Sequence, residues 1–319
     1  MKVRVRSFAK INLGLRIAAQ RADGFHELLT IYQTIGLHDV VGISVMRGRG
    51  IEIRCADPRV PTDESNTCYR MVEKAMLALR TKGRVVIEIE KRLPVQGGLG
   101  GASANAVAAL LGLERVLKKD LGPEERLRIA AEVGSDLPLF LIGGTVLGVG
   151  RGEQVYPLDD LPATPCVVVT PEVGVSTPKA FAEWDRKLTV SDPSDRMSEL
   201  GRALSGWLSE SYSGAPQRSR RFRRGRAENP LLALVRTGIQ NDFEQVVFPE
   251  YPELSEVKRA LMRAGAKYAS LSGSGSALYG LFESRSSVLT AAEKLRKQGW
   301  TAEATATLSR REYWKRLFE

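Results

Sequence analysis

The sequence predicts an α+β fold in two domains, on three observations. Apolar and polar residues alternate early in the chain, through Ile11, Leu13, Leu15 and Ile17, and further strand-like runs follow at 30–37, 39–46 and 51–55. Successive strands of this kind build an antiparallel sheet. A strand-like run at 84–90 passes through four glycines in five positions into an Ala-rich helical run at 104–117. Near the end come a strand, a tight Gly/Ser turn and a returning strand at 268–282, then a helix at 286–298 and a strand at 301–307. A chain of 319 residues is long enough for two ordinary domains. The Pro- and Asp-rich stretch at 158–165 marks the expected boundary, giving domains 1–160 and 161–319.

Taken in order, the first strand covers 2–7 and continues through 8–17 as a half-buried strand. Lys10 and Asn12 then share the face opposite the apolar one. A single lysine reads as a solvated side chain, and its nearness to Asn12 keeps the pair available for a site. Asp23-Gly24 marks a turn that puts Phe25 and His26 on a loop. Residues 63–66 end in Asn66 and look like the cap of a helix over 67–79. Pro123 opens another helix to about Val133. Asp136 follows, between a small-residue turn and a Pro-bearing apolar run, and reads either as a helix cap or as a carboxylate held against a phosphate site. Residues 143–153 read as a strand ending in a glycine-rich turn.

The second half begins with a buried strand at 167–170. A helix then starts near Thr177, with Pro178 in its first turn. Residues 209–226 are Ser, Gly, Arg and Pro with little to bury, and are expected to form a mobile insertion. Helices are expected at 231–242 and 252–264.

Composition narrows the chemistry. Hydrophobic and charged fractions of 43% and 26% are those of a globular protein. Cys55, Cys68 and Cys166 have no metal-ligand spacing, and His26 and His38 are too few for a His-based zinc site. The N-terminus alternates instead of presenting a basic leader, and no long apolar span follows, so a cytoplasmic protein without membrane contact is expected. The formal net charge is +10, but six arginines and no acidic residue fall within 214–226. The excess therefore describes one segment more than the whole surface.

The glycine loop, Pro94-Val95-Gln96-Gly97-Gly98-Leu99-Gly100-Gly101-Ala102-Ser103-Ala104, carries the strongest chemical signal. Glycines let the backbone approach a ligand and adopt positive φ, and the unpaired N–H groups of a first helical turn attract anions. No Gly-Lys-Ser or Gly-Lys-Thr follows, which excludes a Walker A loop. The spacing does not match G-x-G-x-x-G either, which argues against a dinucleotide fold.

Three motifs in order, Ala9-Lys10-Ile11-Asn12-Leu13, the 94–105 loop and Leu271-Ser272-Gly273-Ser274-Gly275-Ser276, resemble those of the GHMP kinase superfamily. Within it, the stretches at 21–26, 91–94, 134–138 and 150–153 are similar to those of the 4-diphosphocytidyl-2-C-methyl-D-erythritol kinases. The resemblance spans nearly the whole chain apart from the Arg-rich stretch. It implies a ribosomal protein S5-like N-terminal domain and a ferredoxin-like C-terminal domain with the active site between them. It also implies ATP with Mg²⁺ as cofactor, and a small-molecule acceptor bearing a cytidine diphosphate group.

By position in the motifs, the resemblance makes Asp136 the catalytic base and Lys10 its charged neighbour. Phe25 and Phe181 would sandwich the cytosine and His26 would hydrogen-bond it, with Asn12, Thr177 and Pro178 near the substrate. Asn66 and Lys91 would lie near the adenine, and residues 94–104 around the phosphates. Gly273, Ser274 and Gly275 would lie near the phosphates, with the Ser103 hydroxyl placed for phosphate or Mg²⁺. The chain departs from the family at Gln96, where glycine is usual, and at Ala102 and Ala104, and Phe25 stands where tyrosine is commoner. A mevalonate- or homoserine-type kinase is the nearest alternative. A nucleic-acid-binding protein using the Arg-rich segment is the alternative of another class.

Overall fold

The computed structural model describes residues 2–187, 193–212 and 229–319. The first half holds β1 (Lys2–Gln20), β2 (His26–Met46), β3 (Gly50–Cys55), α1 (Thr67–Ala78), β4 (Arg84–Glu90), α2 (Gly101–Leu117), α3 (Pro123–Val133), α4 (Leu137–Ile142), β5 (Thr145–Gly150) and β6 (Gln154–Pro157). The second half holds β7 (Pro165–Val169), α5 (Thr177–Lys187), α6 (Pro193–Tyr212), α7 (Pro230–Val235), α8 (Glu244–Glu250), α9 (Pro252–Arg263), β8 (Tyr268–Leu271), β9 (Leu278–Leu281), α10 (Arg285–Lys297), β10 (Ala302–Ala306) and α11 (Arg310–Arg316). Among the described residues no helix is long and apolar enough to cross a membrane.

Two sheets organise these elements, as the α+β reading expects. In the first, β1 runs antiparallel along one edge of β2. The other edge is shared, with β4 against residues 40–46 and β5 against 28–33. β3 adds to β4 in parallel and β6 to β5 antiparallel. The second sheet has the order β10-β7-β9-β8, all antiparallel. Alternation on β2 and β4 turns Val41, Ile43, Val85 and Ile87 onto α1 and α2, forming one core with Met71, Val107 and Leu110. A second core lies between the other sheet and α8, α9 and α10.

Long-range packing changes several local expectations. The runs at 30–37 and 39–46 are parts of the single strand β2, as are 2–7 and 8–17 of β1. The half-buried reading of 8–17 is corrected, because every residue from Ser7 to Ile17 is buried. Ile11 and Leu13 join Leu231 and Tyr279 in a third core, while Lys10, Asn12 and Arg16 on the other face are covered with polar partners.

The helix expected over 231–242 stops at Val235. Gly238 has φ +89, and residues 239–242 are drawn onto β1, where Leu15 N–H donates to Gln240 O and Asp242 N–H to Leu15 O. α8 follows, and its Pro249 falls in the last turn. Residues 209–212 are the end of α6 and not part of a loop, and the remainder of the Arg-rich stretch, 213–226, lies outside the described residues. α11 also had no forecast. It returns to the first core, where Tyr313 hydroxyl donates to Phe140 O.

Candidate active site

Three chain segments meet at the glycine loop. Lys10 N–H donates to Leu99 O at 3.0 Å from the first motif, and Ala277 N–H, just after the third, to Gly97 O at 3.1 Å. The Ser272 hydroxyl donates to Gly98 O at 2.9 Å. The approach is close enough to require glycine. A Cβ on Gly98, which has φ +72, would lie 2.1 Å from Ser272 O, and one on Gly100 would lie 2.9 Å from the Phe140 ring. Gly100 is the N-cap of α2 and no side chain caps that helix, and an uncapped first turn offers its N–H groups to an anion. Gln96 has φ +59, the left-handed region where glycine is at ease, and its side chain is exposed.

Two cavities open on either side of this loop, sharing Gly98 and Gly100. One of about 320 Å³ is lined by Asn66, Lys91, Pro94, Val95, Gln96, Gly97, Leu99, Gly101, Ala102 and Ser103. Ala104 is buried behind it. The other, of about 610 Å³, is lined by Lys10, Asn12, Phe25, His26, Asp136, Thr177, Pro178, Phe181, Gly273 and Ser274. Gly275, the last of the three third-motif residues expected near the phosphates, is not on either wall. Asn66, Lys91 and most of the loop residues thus fall into one space and the acceptor residues into an adjoining one, but Gly273 and Ser274, expected near the phosphates, line the acceptor side.

At the junction Lys10 Nζ lies 3.5 Å from Asp136 Oδ2 and donates to Asn12 Oδ1 at 2.6 Å. Asn12 in turn donates to the Thr30 hydroxyl, which donates to Gly14 O. Burial pushes the Lys10 pKa below the ordinary lysine value, and Asp136 opposes that shift. Asp136 precedes α4, yet its side chain caps nothing. The capping alternative is therefore overturned: the carboxylate instead accepts from the Tyr32 hydroxyl at 3.1 Å and faces Lys10. Its side chain keeps 32% of its surface exposed, which leaves it reachable from the cavity.

At the far end of the larger cavity the His26 ring stacks on Phe181, with centroids 4.6 Å apart and planes at 12°. Phe181 meets Phe243 edge-on at 4.9 Å. His26 Nε2 is hydrogen-bonded to Asp185 Oδ1 at 2.7 Å. Phe25 is exposed, with the Arg151 guanidinium 4.6 Å from its ring centre. At the rim of α5 the hydroxyls of Thr177 and Ser274 are 2.7 Å apart. In the smaller cavity Asn66 caps α1 by accepting from Cys68 N–H, and Lys91 Nζ donates to buried Asp39 at 2.7 Å.

Sequence reasoning passed over Tyr32, Asp39 and Asp185. Each acts on a site residue far away in the chain, and no local pattern marks such a pairing. Among the described residues no group of three His, Cys, Asp or Glu side chains could hold a metal ion.

The profile of the GHMP kinases N terminal domain matches residues 66–144, and that of the GHMP kinases C terminal domain matches 223–299. A 4-diphosphocytidyl-2-C-methyl-D-erythritol kinase from Solibacter usitatus is 39% identical over 98% of this chain and 92% of its own length. The enzyme of the same name from Geobacter sulfurreducens is 35% identical over 96% of this chain and 99% of its own. The chain belongs to this family of GHMP kinases. As a GHMP kinase it is an ATP-dependent small-molecule kinase.

Solved structures agree on the GHMP kinase fold. A crystal structure of 4-(cytidine 5'-diphospho)-2C-methyl-D-erythritol kinase matches with a TM-score of 0.72 at 29% identity, covering 95% of this chain and 98% of that one. Homoserine kinase from Cytophaga hutchinsonii matches with 0.70 at 20% identity, covering 97% and 95%, a likeness of fold alone.

Proposed function

We propose that this kinase phosphorylates a hydroxyl of 4-diphosphocytidyl-2-C-methyl-D-erythritol, with Asp136 as base. The observation that carries the reading is the pair of cavities that share the loop glycines, with Lys10 and Asp136 at the junction. ATP occupies the smaller cavity, its adenine near Asn66 and Lys91 and its phosphates on the loop and the α2 N-terminus. The cytidyl end of the acceptor lies in the larger cavity beside Phe25, Phe181 and His26. Because the His26 ring itself stacks on Phe181 here, a base between Phe25 and Phe181 with His26 bonding it requires that ring to turn aside. Residues 1–160 then carry the nucleotide loop and the base, and 161–319 close the acceptor side.

Phosphoryl transfer asks chiefly for positioning and charge neutralisation. An alcohol is a weak nucleophile near neutral pH, so a carboxylate within hydrogen-bond reach takes its proton as the new bond forms. The ammonium of Lys10 favours the ionised carboxylate and also offsets charge on the transferring phosphoryl group. Backbone N–H groups of the loop hold the phosphates at little reorganisation cost. The donor set suits a Mg²⁺ ion carried mainly by the nucleotide, since Ser103 at the start of α2 offers a hydroxyl oxygen and, among the described residues, no carboxylate cluster could hold a metal ion. When bound, that ion neutralises charge on the β- and γ-phosphates.

The test is coupled ATP turnover with the cytidyl acceptor, and with mevalonate and homoserine as competitors. Turnover on the cytidyl compound alone is expected. Asp136→Asn should lower kcat by roughly a hundredfold or more while leaving the ATP Kd nearly unchanged. Near-normal turnover in that variant would remove Asp136 as base, and preference for either competitor would remove the acceptor assignment.

A further inference from the structure

We propose that Tyr32 is a positioning residue, fixing the Asp136 carboxylate in the orientation from which it accepts the substrate proton. The proposal rests on the reading of Asp136 as the base.

Asp136 stands before α4 without bonding any N–H of that helix, so its own element does not set its rotamer. Two side chains from other elements do reach it. Lys10 from β1 lies 3.5 Å from Oδ2, an ammonium that attracts without imposing a direction. Tyr32 from β2 donates its hydroxyl to Oδ1 at 3.1 Å, a directional bond from a rigid ring. With one oxygen engaged on each side, the carboxylate plane is set and the remaining lone pairs face the cavity.

The fold goes to unusual lengths to place that hydroxyl. Tyr32 pairs with Asn12 on one side and Val146 on the other, and only 2% of it is exposed. Its ring lies in a slot that exists because two residues of the β5–β6 hairpin have no side chain. A Cβ at Gly148 would sit 2.5 Å from the ring carbon Cε2, and one at Gly152 would sit 2.4 Å from the hydroxyl oxygen. Real Cβ contacts are never so short, so any other residue at either position displaces the ring.

This assigns a purpose to glycines that the phosphate loop does not explain. The charged groups facing the phenol are Asp136, Glu153 from the β5–β6 turn and the Lys10 ammonium 5.6 Å from the ring centre. Burial first, then Asp136, pushes the phenol well above its ordinary range, so it remains a protonated donor throughout working pH.

The experiment is Tyr32→Phe in the full chain, which keeps the ring in its slot and deletes one oxygen. Turnover with the cytidyl acceptor should fall roughly tenfold in kcat, with both KM values within about twofold. A general loss of packing would be felt in any background, so the same change is made in Asp136→Asn. There it should cost nothing further, because the residue it positions no longer acts as a base. Thermal melts accompany each variant. If Tyr32→Phe keeps wild-type kcat while Asp136→Asn loses it, the positioning role is wrong and the base stands. An unchanged kcat with a raised KM, or an equal further loss in the Asp136→Asn background, likewise overturns it. If Asp136→Asn itself keeps normal turnover, the base reading is what has failed.

Discussion

Asp39 and Lys91 form a buried ion pair beside the smaller cavity, with Nζ 2.7 Å from Oδ2 and Asp39 fully buried. The carboxylate also accepts from the N–H groups of Arg92 and Leu93 and from Asn105 Nδ2, so it ties β2 to the segment entering the glycine loop and to α2. Removing one partner of a buried pair leaves an uncompensated charge. Asp39→Ala should therefore destabilise the protein by roughly 3–5 kcal/mol. Urea titration measures this, and the surviving folded fraction should show a raised KM for ATP. A loss under about 1 kcal/mol would mean that Lys91 finds water or another partner.

Gln96 makes the opposite kind of prediction. A left-handed backbone costs a non-glycine residue about 1–2 kcal/mol, whereas glycine adopts it freely but loses more chain entropy on folding. With φ +59 and an exposed side chain, Gln96→Gly should be stabilising by up to ~1 kcal/mol, with kinetics for ATP unchanged. A rise in Tm by calorimetry would agree. A higher KM for ATP would instead assign the amide side chain a role on the nucleotide.

The acceptor end is tested at Phe181 and Asp185. Phe181→Ala should weaken binding of the cytidyl acceptor by about 1–3 kcal/mol, the range for stacking of a base on an aromatic ring. Asp185→Ala frees the His26 ring, which Asp185 now holds at 2.7 Å, and should raise KM for the acceptor with little effect on kcat. Titration calorimetry with acceptors with and without the cytidine group separates stacking from general loss. Equal binding of the two would count against the cytosine site.

Lys10 supplies the pH dependence. Burial lowers its pKa, with Asp136 opposing, so its charge is lost at lower pH than that of an exposed lysine. The alkaline fall in kcat should then begin below the ordinary lysine range, and Lys10→Arg, whose charge persists, should remove that fall even if the plateau drops. The linkage to stability has a definite sign. The unfolded chain binds this proton more tightly, so the cost of burying the ammonium is fully present below the folded pKa. It is relieved as pH rises between the depressed and ordinary values. A kcat profile of identical shape in both proteins would exclude Lys10 from the alkaline limb.

Local pattern was enough for much of this molecule. The apolar run before the glycines located the strand at 84–90, and the tight Gly/Ser turn located the two strands flanking it within 268–282. Asp23-Gly24 marked the hairpin turn, and Asn66 and Pro123 marked helix starts, because each signal acts within a few residues. Where packing overrode that signal, at 7–17 and 236–242, a second layer of the fold supplied the partner: a core beneath β1, and β1 itself for residues 239–242.

The glycine loop, Lys10 and Asp136 were visible as chemistry by residue type and motif. The sequence by itself therefore determined the α+β composition and which groups are candidates for the chemistry. Tertiary structure alone decided that Asp136 meets Tyr32 instead of capping α4, that His26 is held by Asp185, and that two cavities adjoin at Gly98 and Gly100. Those pairs are 104 and 159 residues apart in the chain. Periodicity reports which face of a segment avoids water, and it carries no information about which distant side chain comes to rest against it.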